Sequence, residues 1–301
     1  STGGTRFDVD LSAITIRDGE VSLATDTGKL LVKLAGLGLD TSVALTGNKL
    51  TGRGDARIAE INVANAIFVR NVTAPVMLGD EIQLAPLTGQ FAGGSVSGGL
   101  TVRTTGGFRY LVDLTGRDSD VATLLREMGA KPSMTGQLQL TAKLEGTGGL
   151  PTITGGGRAE IVNGQLTGVP LLNLLGTLLQ VAELQNLQFR ECVLEYTLAN
   201  NVMQNPVIKL TSPLVQITGS GAMNLETYTL QHTFTLALAE GLLAKAPNEI
   251  RRAFTRRDDG FLTIEFNVTG PYDAPKTDLS QRLLKGAGQQ LLDKGLKKLF
   301  N

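Results

Sequence analysis

The chain of 301 residues contains no tryptophan, one cysteine and one histidine, and aromatic residues make up only 5% of it. The single cysteine, Cys192, excludes an intramolecular disulfide and a cysteine-rich zinc site. The single histidine, His232, excludes a metal centre built from several histidines. A formal net charge of zero provides no basic surface of the kind that nucleic acid needs, so we set nucleic-acid binding aside.

The sequence also lacks the side-chain patterns of known catalytic sites. His232 alternates with apolar neighbours and is predicted to lie on a sheet face without a catalytic role. Gly28-Lys29 lacks the spacing and the following Ser or Thr of a phosphate loop, and the glycines at 155–157 are not followed by a helix. We therefore predict no catalytic residue, no metal, no cofactor and no enzyme activity.

Turn residues and alternating apolar residues are abundant instead. The 37 glycines far exceed the roughly 7% of an average protein. Two stretches, LTGQFAGGSVSGGLTV at 87–102 and TITGGGRAEIVNGQLTG at 152–168, set glycine turns against alternating apolar and polar residues. This pattern predicts a long antiparallel sheet whose strands are joined by short connections.

Local signals predict individual elements within this sheet. Asp18-Gly19 predicts a hairpin turn between two short strands, and Ser119 to Gly129 has the pattern of one short helix. A second, buried helix is predicted to begin at Pro170. The last strong strand is predicted at Phe261 to Thr269, with its apolar residues on one face.

The tail from Thr277 to Asn301 has the period of an amphipathic helix, with six basic and two acidic residues from Lys276 onward. We predict that this helix contacts a membrane or a partner through apolar residues on one side and lysines on the other, namely Leu284, Leu291, Leu292, Leu299, Lys294, Lys297 and Lys298. Three roles stay open for it: lying on an anionic membrane, covering an open sheet end, or docking on a partner.

A degenerate motif runs through the second half of the chain. Its order is a glycine pair, an Ile-x-Asn-Gly-x-Leu-x-Gly run, a Ser-Pro pair and a Gly-x-Gly before a leucine-rich strand. The matching residues are Gly155, Gly157, Ile161, Asn163, Gly164, Leu166, Gly168, Ser212, Pro213, Ile217, Gly219, Gly221, Leu225 and Leu230. Over about Leu87 to Pro275 the chain thus resembles the C-terminal region of the AsmA-like family of bacterial envelope proteins. Asn200-Asn201 departs from the Asn-Gly that is frequent there.

The resemblance implies an elongated, curved antiparallel sheet that forms a hydrophobic groove. The local patterns add a few short helices and a C-terminal amphipathic helix, so the expected fold class is mainly β. The expected domains are a β-sheet groove domain over 1–275, with the motif strongest over 87–275, and a basic helix over 276–301. The resemblance also implies a location in the bacterial periplasm, as part of an inner-membrane-anchored protein whose anchor is not in this chain.

Nine apolar residues are predicted to face the groove and to contact lipid, although a register shift of one residue would turn each of them over. They are Val112, Leu114, Leu138, Leu140, Ile217, Phe234, Leu236, Ile264 and Phe266. For each of them two interpretations stay open: contact with an acyl chain, or ordinary sheet core beneath a helix.

The resulting hypothesis is a non-enzymatic segment that shields phospholipid acyl chains in a β-groove during transport between the inner and outer membranes. The partners would be phospholipids or other acyl lipids. The alternative is a structural or assembly scaffold for outer-membrane biogenesis, which docks partner proteins through a sheet edge or the tail helix.

Overall fold

The computed structural model describes residues 9–25, 27–47, 49–103, 105–147, 152–179, 181–244 and 246–285. Strands make up 69% of it, and the strands form a 16-stranded antiparallel open sheet, so the predicted mainly β fold class is confirmed. Sheet order follows chain order from the first strand to the thirteenth, as expected for strands joined by short turns.

The strands are β1 Val9–Ala24, β2 Leu30–Thr46, β3 Lys49–Val63, β4 Ile67–Leu78, β5 Glu81–Phe91, β6 Gly94–Arg103, β7 Arg109–Asp120, β8 Met134–Gly146, β9 Thr154–Thr167, β10 Asn186–Ala199, β11 Val202–Thr211, β12 Val215–Asn224, β13 Thr229–Ala239, β14 Thr255–Arg256, β15 Phe261–Pro271 and β16 Lys276–Thr277. The helices are α1 Val121–Glu127, α2 Pro170–Leu179, α3 Glu240–Leu243, α4 Asn248–Arg252 and α5 Leu279–Lys285, with a 3-10 turn at Ala182–Gln185.

Both helices predicted from local signals form. Asp120 caps α1 by accepting a hydrogen bond from the Thr123 amide at 2.6 Å, and Gly129 follows with φ +75°. Proline opens α2, where its missing N–H costs nothing. Of the predicted tail helix, α5 is described, whereas residues 286–301 lie outside the described part of the chain.

The chain divides into two compact units, unit 1 with residues 1–132 and 137–157, and unit 2 with residues 133–136 and 158–301. Within unit 1, strand pairing places apolar residues of β1–β8 on one side of the sheet. Ile58, Val72, Ala74 and Leu87 form a buried cluster on this side. We call this side the unit 1 apolar face.

The expected hairpin turn at Asp18-Gly19 is wrong, because β1 runs through it as one strand. Asp18 has φ +53° and marks a β-bulge between Ile16 and Gly19. The same left-handed conformation that suits Asp-Gly to a turn also lets an extra residue be inserted into a strand. Left-handed residues recur within β2, β4 and β7, at Gly36, Asn71 and Asp118.

Unit 2 packs helices against its sheet. Leu172 and Leu175 of α2, Leu243 of α3, Ile250 of α4 and Leu279 of α5 are buried in one cluster. Strand residues of β10–β13 and β15 also belong to this cluster, which is larger than the cluster of Ile58, Val72, Ala74 and Leu87. Burial of five such side chains stabilises the helix layer by about 1.5–3 kcal/mol each.

Some glycines on the unit 1 apolar face are required by the closeness of neighbouring backbone. A Cβ atom at Gly98 would overlap the carbonyl oxygen of Asp113 on β7, and Gly98 has φ +154°. A carbonyl oxygen cannot move aside as the end of a flexible side chain can. By contrast, a Cβ atom at Gly241 in α3 would meet no atom within 4 Å.

We therefore expect Gly98→Ala to lower the free energy of unfolding by about 1–3 kcal/mol, through backbone displacement at the β6–β7 pairing. Gly241→Ala is the control and should be neutral or slightly stabilising. Urea unfolding followed by circular dichroism measures both variants. Equal midpoints for the two would contradict the close approach at Gly98.

Candidate functional site

The unit 1 apolar face crosses eight paired strands. Its central members are Leu37, Leu39, Ile58, Val72, Val76, Leu84, Leu87, Leu100, Val112, Leu114, Leu138 and Leu140. No described residue of β2–β8 that points to this side carries a charge. The polar members are Thr41, whose hydroxyl donates to the Arg53 carbonyl at 2.9 Å, and Ser119 and Tyr110.

Charged residues of the same strands lie on the opposite side, where they pair across strands. Lys33 Nζ is 3.1 Å from Glu20, and Lys143 Nζ is 3.1 Å from Asp113. Arg103 pairs with Glu81 in the same way. These pairs are half exposed and contribute little stability each, but they mark this side as the one that faces water. The two sides of unit 1 thus differ sharply in polarity.

Helix α1 buries its Val121, but no side chain of α1 belongs to the buried cluster of Ile58, Val72, Ala74 and Leu87. Its Glu127 pairs with Arg70, and Arg70 also pairs with Glu60 at 3.2 Å on the charged side of the sheet. The partly buried apolar side chains packed against that cluster come from strands. Leu100, Val112, Leu114 and Leu140 are only partly buried, so the uncharged face is partly accessible at these residues.

The apolar face of unit 2 is covered by helices. Register places Leu210, Ile217, Leu236 and Ile264 side by side on β11, β12, β13 and β15. Leu236 is fully buried, and the same cluster contains helix residues, namely Leu172, Leu175, Leu243, Ile250, Leu279 and Leu283. This end of the face is therefore a closed core, which leaves no room for a ligand.

Further along the same face of unit 2 lies a buried polar pair. His232 Nε2 is 3.0 Å from Asn205 Oδ1, and the Asn205 amide donates to the Glu195 carbonyl at 3.3 Å. The imidazole stacks on Phe234, with ring centroids 5.8 Å apart, and Phe234 stacks on Phe266 at 5.6 Å. Burial lowers the pKa of His232, which keeps the ring neutral.

Cys192 lies on this face too, opposite Leu210. Burial, with a smaller contribution from the charge of Glu191, raises the pKa of the thiol to about 11. A thiol with so high a pKa carries almost no thiolate at neutral pH, so Cys192 is chemically inert in the folded chain.

A cavity of about 770 Å³ opens beside α5, and it is polar. Its lining includes Thr235, Thr263, Glu265, Asp278 and Arg282. Burial alone would raise the pKa of Asp278, but hydrogen bonds from the Asn267 amide at 2.7 Å and from Arg282 lower it. The charged lining makes this cavity a poor site for hydrocarbon. Within the described residues no group of three or more His, Cys, Asp or Glu side chains is placed to hold a metal ion.

The structure brings the predicted groove residues together in two sets. Val112, Leu114, Leu138 and Leu140 share the unit 1 apolar face, with Leu138 buried and the other three partly buried. In unit 2, Ile217, Phe234, Leu236, Ile264 and Phe266 share one face, where the last three are buried and the first two are partly buried. Core packing is the interpretation that Leu236, Ile264 and Phe266 fit.

Sequence reasoning missed the part of the unit 1 apolar face that precedes Val112. Leu37, Ile58, Val72 and Leu84 belong to it, although alternation in their strands was visible in the sequence. Of the predicted tail contacts, the side chain of Leu284 and residues Leu291, Leu292, Leu299, Lys294, Lys297 and Lys298 lie outside the described residues.

Taken together, these features define a class: an antiparallel β chain that presents an uncharged apolar sheet face. Comparison with protein-family models, curated proteins and solved structures found no match to the chain. None of the described helices is long and apolar enough to cross a membrane.

The lowered pKa of His232 predicts how stability depends on pH. The unfolded chain takes up a proton near pH 6.5, which the folded chain resists. The stability contributed by neutral His232 is thus present above about pH 6.5 and is lost as the pH falls below it. We expect the urea midpoint to fall between pH 7.5 and 5.5, and to fall less in His232→Gln, which removes the one histidine of the chain. Parallel pH profiles for both proteins would contradict this assignment.

The reactivity of Cys192 tests whether the apolar face of unit 2 is closed. At pH 8 we expect iodoacetamide to modify the folded chain about a hundredfold more slowly than the chain unfolded in urea, because both burial and the raised pKa suppress the thiolate. The rate is measured by mass spectrometry of the intact chain, with free cysteine in the same urea as the control. Comparable rates in the two states would show that this part of unit 2 is open.

Proposed function

We propose that the chain binds acyl lipids on the unit 1 apolar face and shields phospholipid tails during their passage between the inner and outer membranes of a bacterial envelope. One observation carries the proposal. An uncharged face spans eight paired strands, and the charged residues of those strands are on the other side. Its centre is buried, but Leu100, Val112, Leu114 and Leu140 are only partly buried.

Physical chemistry makes such a face suitable for hydrocarbon. Each methylene that leaves water for an apolar surface contributes roughly 0.8 kcal/mol, so even a partly covered acyl chain gains several kcal/mol without a polar contact. A large exposed apolar surface is also costly for a protein to keep in water, which supports a binding role for it. Leu100 and Val112, neighbours on β6 and β7, are typical of the partly buried members.

The bacterial-envelope location in this proposal comes from the resemblance of residues 87–275 to the AsmA-like family. That resemblance supports a periplasmic segment of an inner-membrane-anchored protein. The period and the charge of residues 276–301 support a basic tail helix that meets a membrane or an envelope protein. Covered by its own helices, the apolar face of unit 2 contributes stability, and the lipid surface is assigned to unit 1.

The experiment compares two neighbouring residues of β7 that point to opposite sides. Val112 is on the apolar face, whereas Leu111 is 51% exposed on the charged side. We expect the purified wild-type chain to carry extractable phospholipid, or to take up a fluorescent phospholipid from vesicles. Val112→Asp should reduce this uptake several-fold, because a charge on the face must be desolvated by the bound tail. Leu111→Asp should leave it unchanged.

Circular dichroism and urea midpoints verify that both variants fold, and Val112→Thr offers a milder polar change at the same position. A wild-type chain that carries no lipid and takes none from vesicles would refute the proposal and favour the scaffold role. Equal uptake by Val112→Asp and Leu111→Asp would show that lipid is held elsewhere on the chain.

A further inference from the structure

Among the described strands, β1 lies at one end of the sheet order. No described strand pairs with the side of β1 that faces away from β2. Five of its large apolar residues, Val9, Leu11, Ile16, Val21 and Leu23, are 40–54% exposed. An edge of 16 residues with free backbone groups and apolar side chains is a template for pairing with another strand.

The outer edge of β15, at the other end of the sheet order, is partly covered by short strands. Two-residue strands β14 and β16 both pair with β15 and occupy its outer edge at separate points. Between them, the carboxylate of Asp278 accepts a hydrogen bond from the Asn267 amide at 2.7 Å. Short strands and an inserted carboxylate are devices that prevent edge pairing. On β1 the corresponding features are two β-bulges and four charged residues, so only a partner strand that matches them can pair with this edge.

The pattern of β1 is symmetric about Thr15. Pairing with β2 shows two bulges on β1, at residues 12–13 and 17–18, equally far from Thr15 on either side. Residues that point to the apolar face are placed symmetrically as well, Val9 matching Val21, Leu11 matching Gly19, and Ile14 matching Ile16. A strand with this symmetry is complementary to a second copy of itself in the antiparallel orientation.

We propose that β1 pairs with β1 of a second copy of this chain, antiparallel, with Thr15 on the two-fold axis. In this register apolar-face residues meet apolar-face residues along the strand. Bulge faces bulge, so the extra residue in one strand is matched in the other and the ladder stays in step. Pairing of this kind is isologous, since the same edge serves both copies. It joins two unit 1 sheets and does not depend on lipid binding.

The proposed register places acidic residues of the two copies opposite each other. Asp10 of each copy lies opposite Glu20 of the other, and Glu20 is 3.1 Å from Lys33 of its own chain. Like charges in opposed positions weaken a strand pair. The dimer is therefore expected to tighten with added salt, and to tighten more when one of the two carboxylates becomes a cation.

Cysteine crosslinking tests the axis. In a Cys192→Ser background, Thr15→Cys places the two thiols opposite each other at a Cβ separation of about 4.5–5.5 Å, near the range of a disulfide. Ser22→Cys is the control, because the proposed register separates its two copies by about 45 Å along the strands. Mild oxidation should give a reducible dimer for position 15 and not for position 22. Absence of the dimer at 15, or equal crosslinking at both positions, overturns the proposal.

Charge reversal tests the register independently. Asp10→Lys should lower the dimer dissociation constant about tenfold in sedimentation equilibrium, since it creates two opposite-charge pairs per dimer. Asp18→Lys, which faces Ser12 of the second copy, should change the constant far less. A wild-type chain that stays monomeric at tens of micromolar, or equal effects of the two reversals, contradicts the proposed pairing. These measurements are made without lipid, so their failure leaves the lipid proposal standing.

Discussion

The segregation of apolar side chains to one side of unit 1 depends on the strands keeping step through their bulges. Successive residues of a strand point to opposite sides, so one uncompensated extra residue would turn all later side chains over. In β1, β2, β4 and β7 the step is restored at Asp18, Gly36, Asn71 and Asp118, each of which adopts a left-handed backbone. Leu34, Ile61 and Val69, beyond these points, still pack against the cluster of Ile58 and Val72. Bulges also bend strands and increase their twist.

The two units differ in how far their apolar sheet face is covered. Both present an apolar sheet face, but the connections of unit 2 contribute helices whose leucines bury it, at Leu172, Leu243 and Leu283 among others. Most connections of unit 1 are tight turns, and Glu127 of its α1 pairs with Arg70. The apolar face of unit 2 is therefore covered as core, whereas the unit 1 apolar face keeps partly buried members, where we propose that hydrocarbon binds.

How much could be predicted differs between elements. Clean alternation predicts a strand at Phe261 to Thr269, and β15 forms there as Phe261–Pro271. The error at Asp18 arises because left-handed residues serve turns and bulges alike. Asp18 lies in a bulge, whereas Ala64 and Asn65 have the same left-handed backbone and form a turn. Only the neighbouring strand's register separates the two outcomes.

The sequence by itself determined the antiparallel β class, the positions of the short helices and the apolar character of one side of each strand, because these follow from local periodicity and turn chemistry. Which apolar residues are available to a ligand was decided by tertiary structure. Val112 and Ile264 have the same pattern in sequence, yet Val112 is partly open and Ile264 is buried beneath helices. Burial depends on what packs over a strand from distant parts of the chain, and periodicity within that strand carries no information about it.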